Sequence, residues 1–169
     1  MKKSKIKALT EVSLFVAILG ITSQIIIPIG MVPVTLQVFS VSLAGYYLGL
    51  KKGTVAIIVY LLLGCVGMPV FAGFKGGFYM LFSYTGGFII GFLPLTVMCG
   101  ISKRRVVGIL FGIIGLCICH IIGAVQYSVV GQIPLFNSFA IVSLPYIIKD
   151  VCLVIVSFFV AEKIKKALR

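Results

Sequence analysis

The sequence predicts an all-α integral membrane protein in which six transmembrane helices form a single domain over residues 1–169, with both termini in the cytoplasm. Of the 169 residues, 61% are hydrophobic and only 11% are charged, and the mean hydropathy is +1.26. A soluble domain has about a quarter of its residues charged. The net charge of +12 does not indicate nucleic-acid binding, because the basic residues form short clusters between apolar runs. The chain is therefore expected to lie in a lipid bilayer.

Prolines and basic turns mark the boundaries of the six apolar runs. Pro28 and Pro33 bracket the break after the first run, because proline interrupts the continuation of a helix. Basic turns at residues 51–53 and 103–105 end the second and fourth runs. Pro145 suits the first turn of the last run, where a missing N–H is tolerated. The predicted helices cover residues 8–28, 36–50, 54–68, 79–101, 107–130 and 140–160.

The distribution of basic residues predicts the orientation of the chain. Clusters occur at the amino terminus, after the second and fourth runs, and at the carboxyl terminus, whereas the intervening loops contain only Lys75. Cytoplasmic loops of membrane proteins are enriched in lysine and arginine, so both ends are predicted to be cytoplasmic. Lys75 lies in a glycine-rich loop, residues 69–78. It is either a solvated lysine or a cation that meets an anionic substrate, and the scarcity of charge in the outer loops favours the second.

Asp150 is the main candidate for a functional side chain. The other two acidic residues, Glu11 and Glu162, lie beside basic clusters near the chain ends, whereas Asp150 lies within the apolar segment 144–153. A carboxylate at bilayer depth costs about 2.5–3.5 kcal/mol on insertion scales. We therefore expect Asp150 to face a cavity between helices and to accept hydrogen bonds from a ligand. Lys149 is expected to point away from it, because adjacent helical residues diverge by about 100°.

Further polar side chains in the apolar runs are candidates for the wall of such a cavity. Some of them lie near the predicted outer ends of their helices, where a substrate could reach them. The hydroxyl groups among these side chains could instead form hydrogen bonds within the helix bundle. The candidates are Gln37, Tyr84, Thr85, Gln126, Tyr127 and Tyr146.

Small residues spaced four apart predict close helix contacts. In membranes such spacing lets two helix backbones approach. Ser13 and Ala17, with Gly20 nearby, give the first helix such a face, which either packs inside the protein or docks a partner subunit. GxxxG pairs include Gly45 with Gly49 and Gly87 with Gly91, and Gly108 and Gly112 are likewise four apart.

Neither metal binding nor catalysis is predicted. Cys117 and His120 share a helix face but Cys119 points elsewhere, and the five cysteines match no metal or redox spacing, so they are interpreted as small buried hydrophobes. His120 is interpreted as an interior histidine. An intramembrane enzyme would need a nucleophile and a base at one depth, which the residues of this chain do not supply.

Four motifs, in order along the chain, carry a resemblance to a known family. They are PVTLQ at 33–37, YLLLGCVGMPVFA at 60–72 with the glycine pair 76–77 that follows it, TGGFIIGF at 85–92 and PYIIKD at 145–150. Together they resemble BioY, the biotin-specific substrate-binding (S) component of energy-coupling factor (ECF) transporters. The resemblance implies a six-helix S-component fold in a prokaryotic plasma membrane and high-affinity capture of biotin from outside. It also implies a partner module of a membrane coupling protein and two ATPases, so that ATP acts only through partners and no cofactor is needed.

The resemblance also assigns residues. Asp150 matches the family aspartate and would accept hydrogen bonds from the biotin ureido group. Leu153 occupies the position of the family's lysine, which leaves Lys75 and Lys149 as candidates for the biotin carboxylate. Ser83 and Tyr84 stand where the family has Gly-Pro. The face formed by Ser13, Ala17 and Gly20 would meet the coupling protein.

Two alternatives remain within transport. The chain could bind another small vitamin, or it could transport biotin alone, without ATPases. A pore-forming protein would show amphipathic stripes with repeated polar positions, and the sequence has none.

Overall fold

The computed structural model describes residues 2–27, 34–102 and 104–168, with side chains from residue 5 onward and without that of residue 34. The predicted break around Pro28 and Pro33 therefore lies largely outside the described residues. Two-residue strands flank it and pair antiparallel, with Ile26 opposite Thr35. The elements are α1 (Lys2–Ser23), β1 (Ile26–Ile27), β2 (Val34–Thr35), α2 (Gln37–Cys65), a 3₁₀ helix (Phe78–Phe82), α3 (Gly86–Ile101), α4 (Arg105–Gly131), α5 (Leu135–Val142) and α6 (Leu144–Ala167).

Four of these helices, α1, α2, α4 and α6, are long and apolar enough to cross a membrane, and α3 is a shorter apolar helix of 16 residues. The all-helical fold class is confirmed for the described residues, apart from the two short strands. The six α-helices of the described chain, α1 to α6, do not correspond one to one to the six predicted spans. The number of spans therefore stays a prediction.

Helix α2 folds back on itself at Gly49. This residue has φ +78° and ψ 177°, a conformation that glycine adopts at low cost. The Gln37 side chain donates a hydrogen bond to the Tyr60 hydroxyl at 2.8 Å, whereas a straight helix would separate these residues by roughly 34 Å. Segments 37–48 and 50–65 therefore form a helical hairpin. They correspond to the predicted second and third helices, but the predicted turn at residues 51–53 is wrong.

Three other predicted boundaries are wrong. The first helix ends at Ser23 rather than at residue 28. The predicted helix 79–101 begins only at Gly86, because Ser83 is extended and separates it from the 3₁₀ helix. The predicted outer loop before the last helix contains α5, and non-helical backbone at Ser143 separates it from α6. Pro145 lies in the first turn of α6, as predicted.

Glycines bring α3 against both of its neighbours. A Cβ on Gly87 would lie 2.5 Å from the Ile122 carbonyl oxygen of α4, and one on Gly91 would lie 2.9 Å from the Cα of Cys119. A Cβ on Gly45 of α2 would lie 2.5 Å from the Thr96 carbonyl oxygen of α3. The packing role predicted for these three glycines is confirmed. It is wrong for Gly49, which forms the turn and has nothing within 4 Å of its Cβ position.

Ion pairs gather helix ends that are distant in sequence at one end of the bundle. Lys52 Nζ lies 2.7 Å from Glu11 Oε2, and Arg105 Nη2 lies 3.0 Å from Glu162 Oε2. The first pair joins α1 to the turn of α2, and the second joins the start of α4 to the end of α6. Lys165 near the end of α6 also donates to the Tyr46 carbonyl oxygen of α2, which links the two sets. The same regions carry the basic clusters that predict the cytoplasmic side, and the orientation itself stays a prediction.

Candidate functional site

A cavity of about 410 Å³ lies between the helices, closed on one side by the loop of residues 66–77. Along α6, its deepest charged residue, Asp150, lies roughly 18 Å from Glu162, so the cavity is remote from the ion-paired end. Its size falls within the range of small-molecule sites, about 300–1,000 Å³. Much of its wall is apolar or aromatic: Phe71, Tyr79, Met80, Phe88, Ile89, Phe92 and Val142.

Seven of the nine predicted substrate-binding residues line this cavity. They come from α2, the loop, the start of α3 and α6, which shows that the fold brings distant positions together. The seven are Gln37, Lys75, Tyr84, Thr85, Tyr146, Lys149 and Asp150. Whether each of them binds a ligand stays a prediction. Leu153 is not among the described residues of the wall.

The other two predicted residues, Gln126 and Tyr127, are not among the described residues of the wall. The Gln126 amide donates to the carbonyl oxygens of Leu81 (2.6 Å) and Ser83 (2.8 Å). The Tyr127 ring packs against the Tyr84 ring at a centroid distance of 5.3 Å. Both residues thus support the segment before α3, Gln126 through backbone carbonyl oxygens and Tyr127 through the Tyr84 ring.

Asp150 is 4% exposed and is held between two basic side chains. Its Oδ1 lies 2.5 Å from Lys149 Nζ, and its Oδ2 lies 3.3 Å from His120 Nε2. Lys149 Nζ also donates to the Thr35 carbonyl oxygen at 3.4 Å. The expectation that Lys149 points away from Asp150 is therefore wrong. The flexible lysine chain bends back, because a buried carboxylate without a partner is strongly destabilising.

His120 is the main residue that the sequence interpretation missed. It lines the cavity and is 3% exposed, with its ring edge-on to Phe88 at a centroid distance of 5.7 Å. A comparison of how deep the polar residues lie along α4 and α6 could have found it. His120 lies 15 residues from Arg105 on α4, roughly 22 Å, and Asp150 lies at a similar depth on α6. The aromatic wall residues gave no such signal, because aromatic residues occur throughout the chain.

The loop over the cavity is anchored by Phe71. A β-bridge joins Phe71 to Lys75 through N–O distances of 2.9 and 3.3 Å. The Phe71 side chain is fully buried and meets the Tyr60 ring edge-on at 5.6 Å. The Tyr60 hydroxyl in turn donates to the Val70 carbonyl oxygen at 2.9 Å. This anchoring places Lys75 at the cavity.

Gln24, just beyond α1, fastens the same loop. Its amide Nε2 donates to the carbonyl oxygens of Phe71 (3.1 Å) and Pro69 (3.3 Å). Its Oε1 accepts a hydrogen bond from the Phe74 backbone N–H at 2.8 Å. Ser23 adds a bond from its hydroxyl to the Val70 carbonyl oxygen at 2.7 Å. The residues at the end of α1 therefore fasten the loop of residues 66–77 beside the cavity.

Replacing Gln24 by alanine is expected to loosen this loop. The change removes three bonds to loop backbone, each contributing about 0.5–1.5 kcal/mol. Hydrogen–deuterium exchange of the loop amides in detergent should accelerate by about tenfold or more. Thr10→Ala is the control, because its hydroxyl bonds only within α1, to the Ile6 carbonyl oxygen. Unchanged loop exchange in Gln24→Ala would contradict the fastening role.

The cysteines of the described chain form no metal site, and no group of three or more potential metal ligands is found there. Cys99 and Cys119 are buried, as predicted, whereas Cys117 and Cys152 are exposed on the outer faces of α4 and α6. The prediction that Cys117 and Cys152 are buried is wrong, because an apolar run does not reveal which side of a helix faces lipid.

Membrane-length helices around a cavity with one buried carboxylate define a membrane protein of the substrate-binding class. The fold matches the 2.1 Å crystal structure of the S-component for biotin from an ECF-type ABC transporter. The TM-score is 0.91 and the sequences are 27% identical, over 98% of this chain and 94% of that chain. The sequence model of the BioY family matches residues 1–169, and the chain belongs to the BioY family.

Two relatives span nearly the whole chain. The probable biotin transporter BioY of Pyrococcus horikoshii is 38% identical over 162 residues, which cover 95% of this chain and 98% of the relative. The biotin transporter BioY of Thermotoga maritima is 33% identical over 164 residues, covering 95% and 96%. The family predicted from the four sequence motifs is confirmed. It is a family of transporter components rather than enzymes.

Proposed function

We propose that this chain is the biotin-binding membrane subunit of an ECF-type uptake transporter in a prokaryotic plasma membrane, and that it captures biotin from outside with high affinity. The observation that carries this proposal is the buried carboxylate of Asp150 at the wall of a largely apolar cavity. The names of the family and of its relatives support biotin as the ligand.

Asp150 suits the ureido group of biotin. A cyclic urea presents two N–H donors, and a carboxylate accepts such donors in strong, charge-assisted hydrogen bonds. Lys149 Nζ lies 2.5 Å from Asp150 Oδ1 and stabilises the charged carboxylate. The two oxygens of a carboxylate offer about four lone-pair sites, so the ion pair leaves the carboxylate able to accept a hydrogen bond from a ligand.

Lys75 suits the biotin carboxylate. Lys149 is already engaged by Asp150 and by the Thr35 carbonyl oxygen. Within the described part of the chain, no carboxylate lies within ion-pairing distance of Lys75, which nevertheless borders the same cavity. Of the two lysines left open by the sequence, we therefore assign the carboxylate to Lys75. A cation on the loop would replace the family lysine for which this chain has Leu153.

The apolar wall suits the carbon skeleton of biotin, because burying apolar surface contributes about 25 cal/mol per Å². Phe71 and Tyr79 line the loop side of the cavity, and Phe88 and Phe92 line the side formed by α3. Aromatic side chains around a small number of polar anchors are typical of small-molecule sites.

Release into the cell requires a partner in this proposal. An apolar groove of about 650 Å³ runs along α1, and its wall includes Ser13, Ala17 and Gly20. We propose that a membrane coupling protein docks there, and that two ATPases attached to it drive release by hydrolysing ATP. Copurification of the chain with such a module tests this part. Uptake of biotin by cells or vesicles that hold the chain without ATPases would favour the solitary transporter.

Calorimetric titration of the purified chain with biotin in detergent tests the proposed ligand. Tight binding of one biotin per chain is the expected result. A folded chain that does not bind biotin would overturn the proposal, and thiamine, riboflavin and lipoate would then be titrated to test the alternative of another vitamin.

Lys75→Met is expected to weaken biotin binding by about tenfold, because it removes the cation while keeping much of the apolar stem. Biotin methyl ester, which lacks the negative charge, should bind the unaltered chain and Lys75→Met with similar affinity. Lys51→Met is the matched control, since Lys51 lies at the other end of the bundle beside the turn of α2. Equal losses for biotin and its ester in Lys75→Met would contradict the assigned role.

A further inference from the structure

The His120 imidazole has a nitrogen that the proposed binding scheme does not use. Its Nε2 lies 3.3 Å from Asp150 Oδ2, whereas its Nδ1 has no hydrogen-bond partner. The residue is 3% exposed and borders the cavity. Buried polar atoms in native proteins are nearly always paired, so an unpaired one at a cavity wall indicates a missing ligand group.

The tautomer follows from the neighbours of the ring. A neutral imidazole carries one N–H and one lone pair, and the hydrogen bond made by one nitrogen decides which is protonated. Because Nε2 faces a carboxylate oxygen of Asp150, the proton belongs on Nε2. Nδ1 is then a hydrogen-bond acceptor without a donor.

The ring is held in this orientation by its surroundings. Phe88 meets it edge-on at a centroid distance of 5.7 Å. Phe88 is itself confined, because a Cβ on Gly123 would lie 2.5 Å from the Phe88 Cζ. The Ser143 hydroxyl donates to the His120 carbonyl oxygen at 3.4 Å, which ties the start of α6 to this point of α4. The imidazole is therefore held in one orientation, with Nε2 at Asp150.

We propose that His120 Nδ1 is a second acceptor for the bound ligand, so that one ureido N–H is received by Asp150 and the other by His120. This inference rests on the proposed function and specifies it further. The site has two buried acceptors on separate helices, Asp150 Oδ1 on α6 and His120 Nδ1 on α4. A cyclic urea carries its two N–H donors on opposite sides of its carbonyl, so two acceptors on separate helices can each receive one of them. The selected chemistry is thus a cyclic urea with both nitrogens unsubstituted.

Nitrogen NMR of the unaltered chain tests the inference directly, because His120 is the single histidine of the sequence. The chain is produced with ¹⁵N-histidine and its affinity tag is removed. Without ligand, one nitrogen should resonate as pyridine-type and one as pyrrole-type. Biotin should shift the pyridine-type resonance upfield, as acceptance of a hydrogen bond does. Two pyrrole-type resonances, or a pyridine-type resonance that biotin leaves in place, would overturn the inference.

Methylated ligands provide the second test. The two biotins that are each N-methylated at one ureido nitrogen are titrated against the unaltered chain and against His120→Leu. Each methylation should weaken binding to the unaltered chain by at least tenfold. In His120→Leu, biotin itself should bind about 10–100-fold more weakly, and one of the two methylations should lose most of its further effect. His120→Gln, which retains a donor and an acceptor, should recover most of the affinity.

The outcomes separate this inference from the proposed function. If the folded, unaltered chain does not bind biotin, both fail. If it binds biotin but both methylations cost the same in His120→Leu as in the unaltered chain, His120 acts only by positioning Asp150 and this inference alone fails. If His120→Leu does not fold, the NMR shift on the unaltered chain decides.

Discussion

Replacing Asp150 by asparagine is expected to reduce biotin affinity by at least 100-fold, which corresponds to about 2.7 kcal/mol. The change preserves the shape of the side chain but removes its charge. It leaves Lys149, whose Nζ lies 2.5 Å from Asp150 Oδ1, without its counter-ion. It also replaces one acceptor oxygen by an NH₂ group, which cannot accept a ligand N–H. A hydrogen bond to a charged group contributes about 1.5–3 kcal/mol, so the loss of the bond from the ligand accounts for a reduction of this size.

Calorimetry with biotin measures this effect, and Glu162→Gln is its matched control. That substitution is also a carboxylate-to-amide change in an ion pair, with Arg105 at 3.0 Å, but it lies on α6 roughly 18 Å from the cavity. It should leave biotin affinity within about threefold, because exposed ion pairs contribute at most about 1 kcal/mol. An Asp150→Asn chain that binds biotin as tightly as Glu162→Gln would exclude Asp150 from the site.

Gly87→Ala is expected to destabilise the fold. An added Cβ would lie 2.5 Å from the Ile122 carbonyl oxygen and 2.9 Å from the Gly123 Cα. Both are backbone atoms, so α3 and α4 must separate rather than a side chain rotate. Overpacking of this kind costs about 1–3 kcal/mol or more, which outweighs the gain of about 1 kcal/mol from replacing a helical glycine by alanine.

Thermal unfolding followed by circular dichroism in detergent checks this second prediction. Gly131→Ala at the end of α4 is the control, because the nearest atom to its added Cβ lies 3.5 Å away. The midpoint should fall for Gly87→Ala and stay the same or rise for Gly131→Ala. Equal midpoints for the two variants would show that α3 and α4 do not pack as closely as described.

Much of the candidate site could be predicted because charge is scarce in this chain. Asp150 is the one acidic residue of its apolar segment and Lys75 is the one charged residue of its glycine-rich loop, and both border the cavity. Gln126 is as polar as Gln37 but bonds to backbone carbonyl oxygens instead, and Tyr127 packs against the Tyr84 ring. Residue type and depth are visible along a helix, whereas the direction in which a side chain points depends on its rotation about the helix axis, which packing sets.

The ends of the helices were likewise predicted only in part. The basic cluster predicted a turn at residues 51–53, but the turn of α2 lies at Gly49. The position of a tight reversal depends on which residue can adopt the required backbone conformation, not on charge. The extended backbone at Ser83 has no proline or charge to announce it, whereas Pro145 in the first turn of α6 is a signal for the break at Ser143.

By itself, the sequence determined that this is a predominantly helical membrane protein, that it has BioY motifs, and that one carboxylate lies within an apolar segment. These conclusions follow from composition and local order, which need no knowledge of packing. Only the tertiary structure decided that Lys149 turns back to Asp150, that His120 joins them from α4, and that Gln24 holds the loop over the cavity. Each of these contacts depends on how side chains rotate and pack once the helices are assembled, and burial makes the pairing of Asp150 necessary because an unpaired charge away from water is too costly.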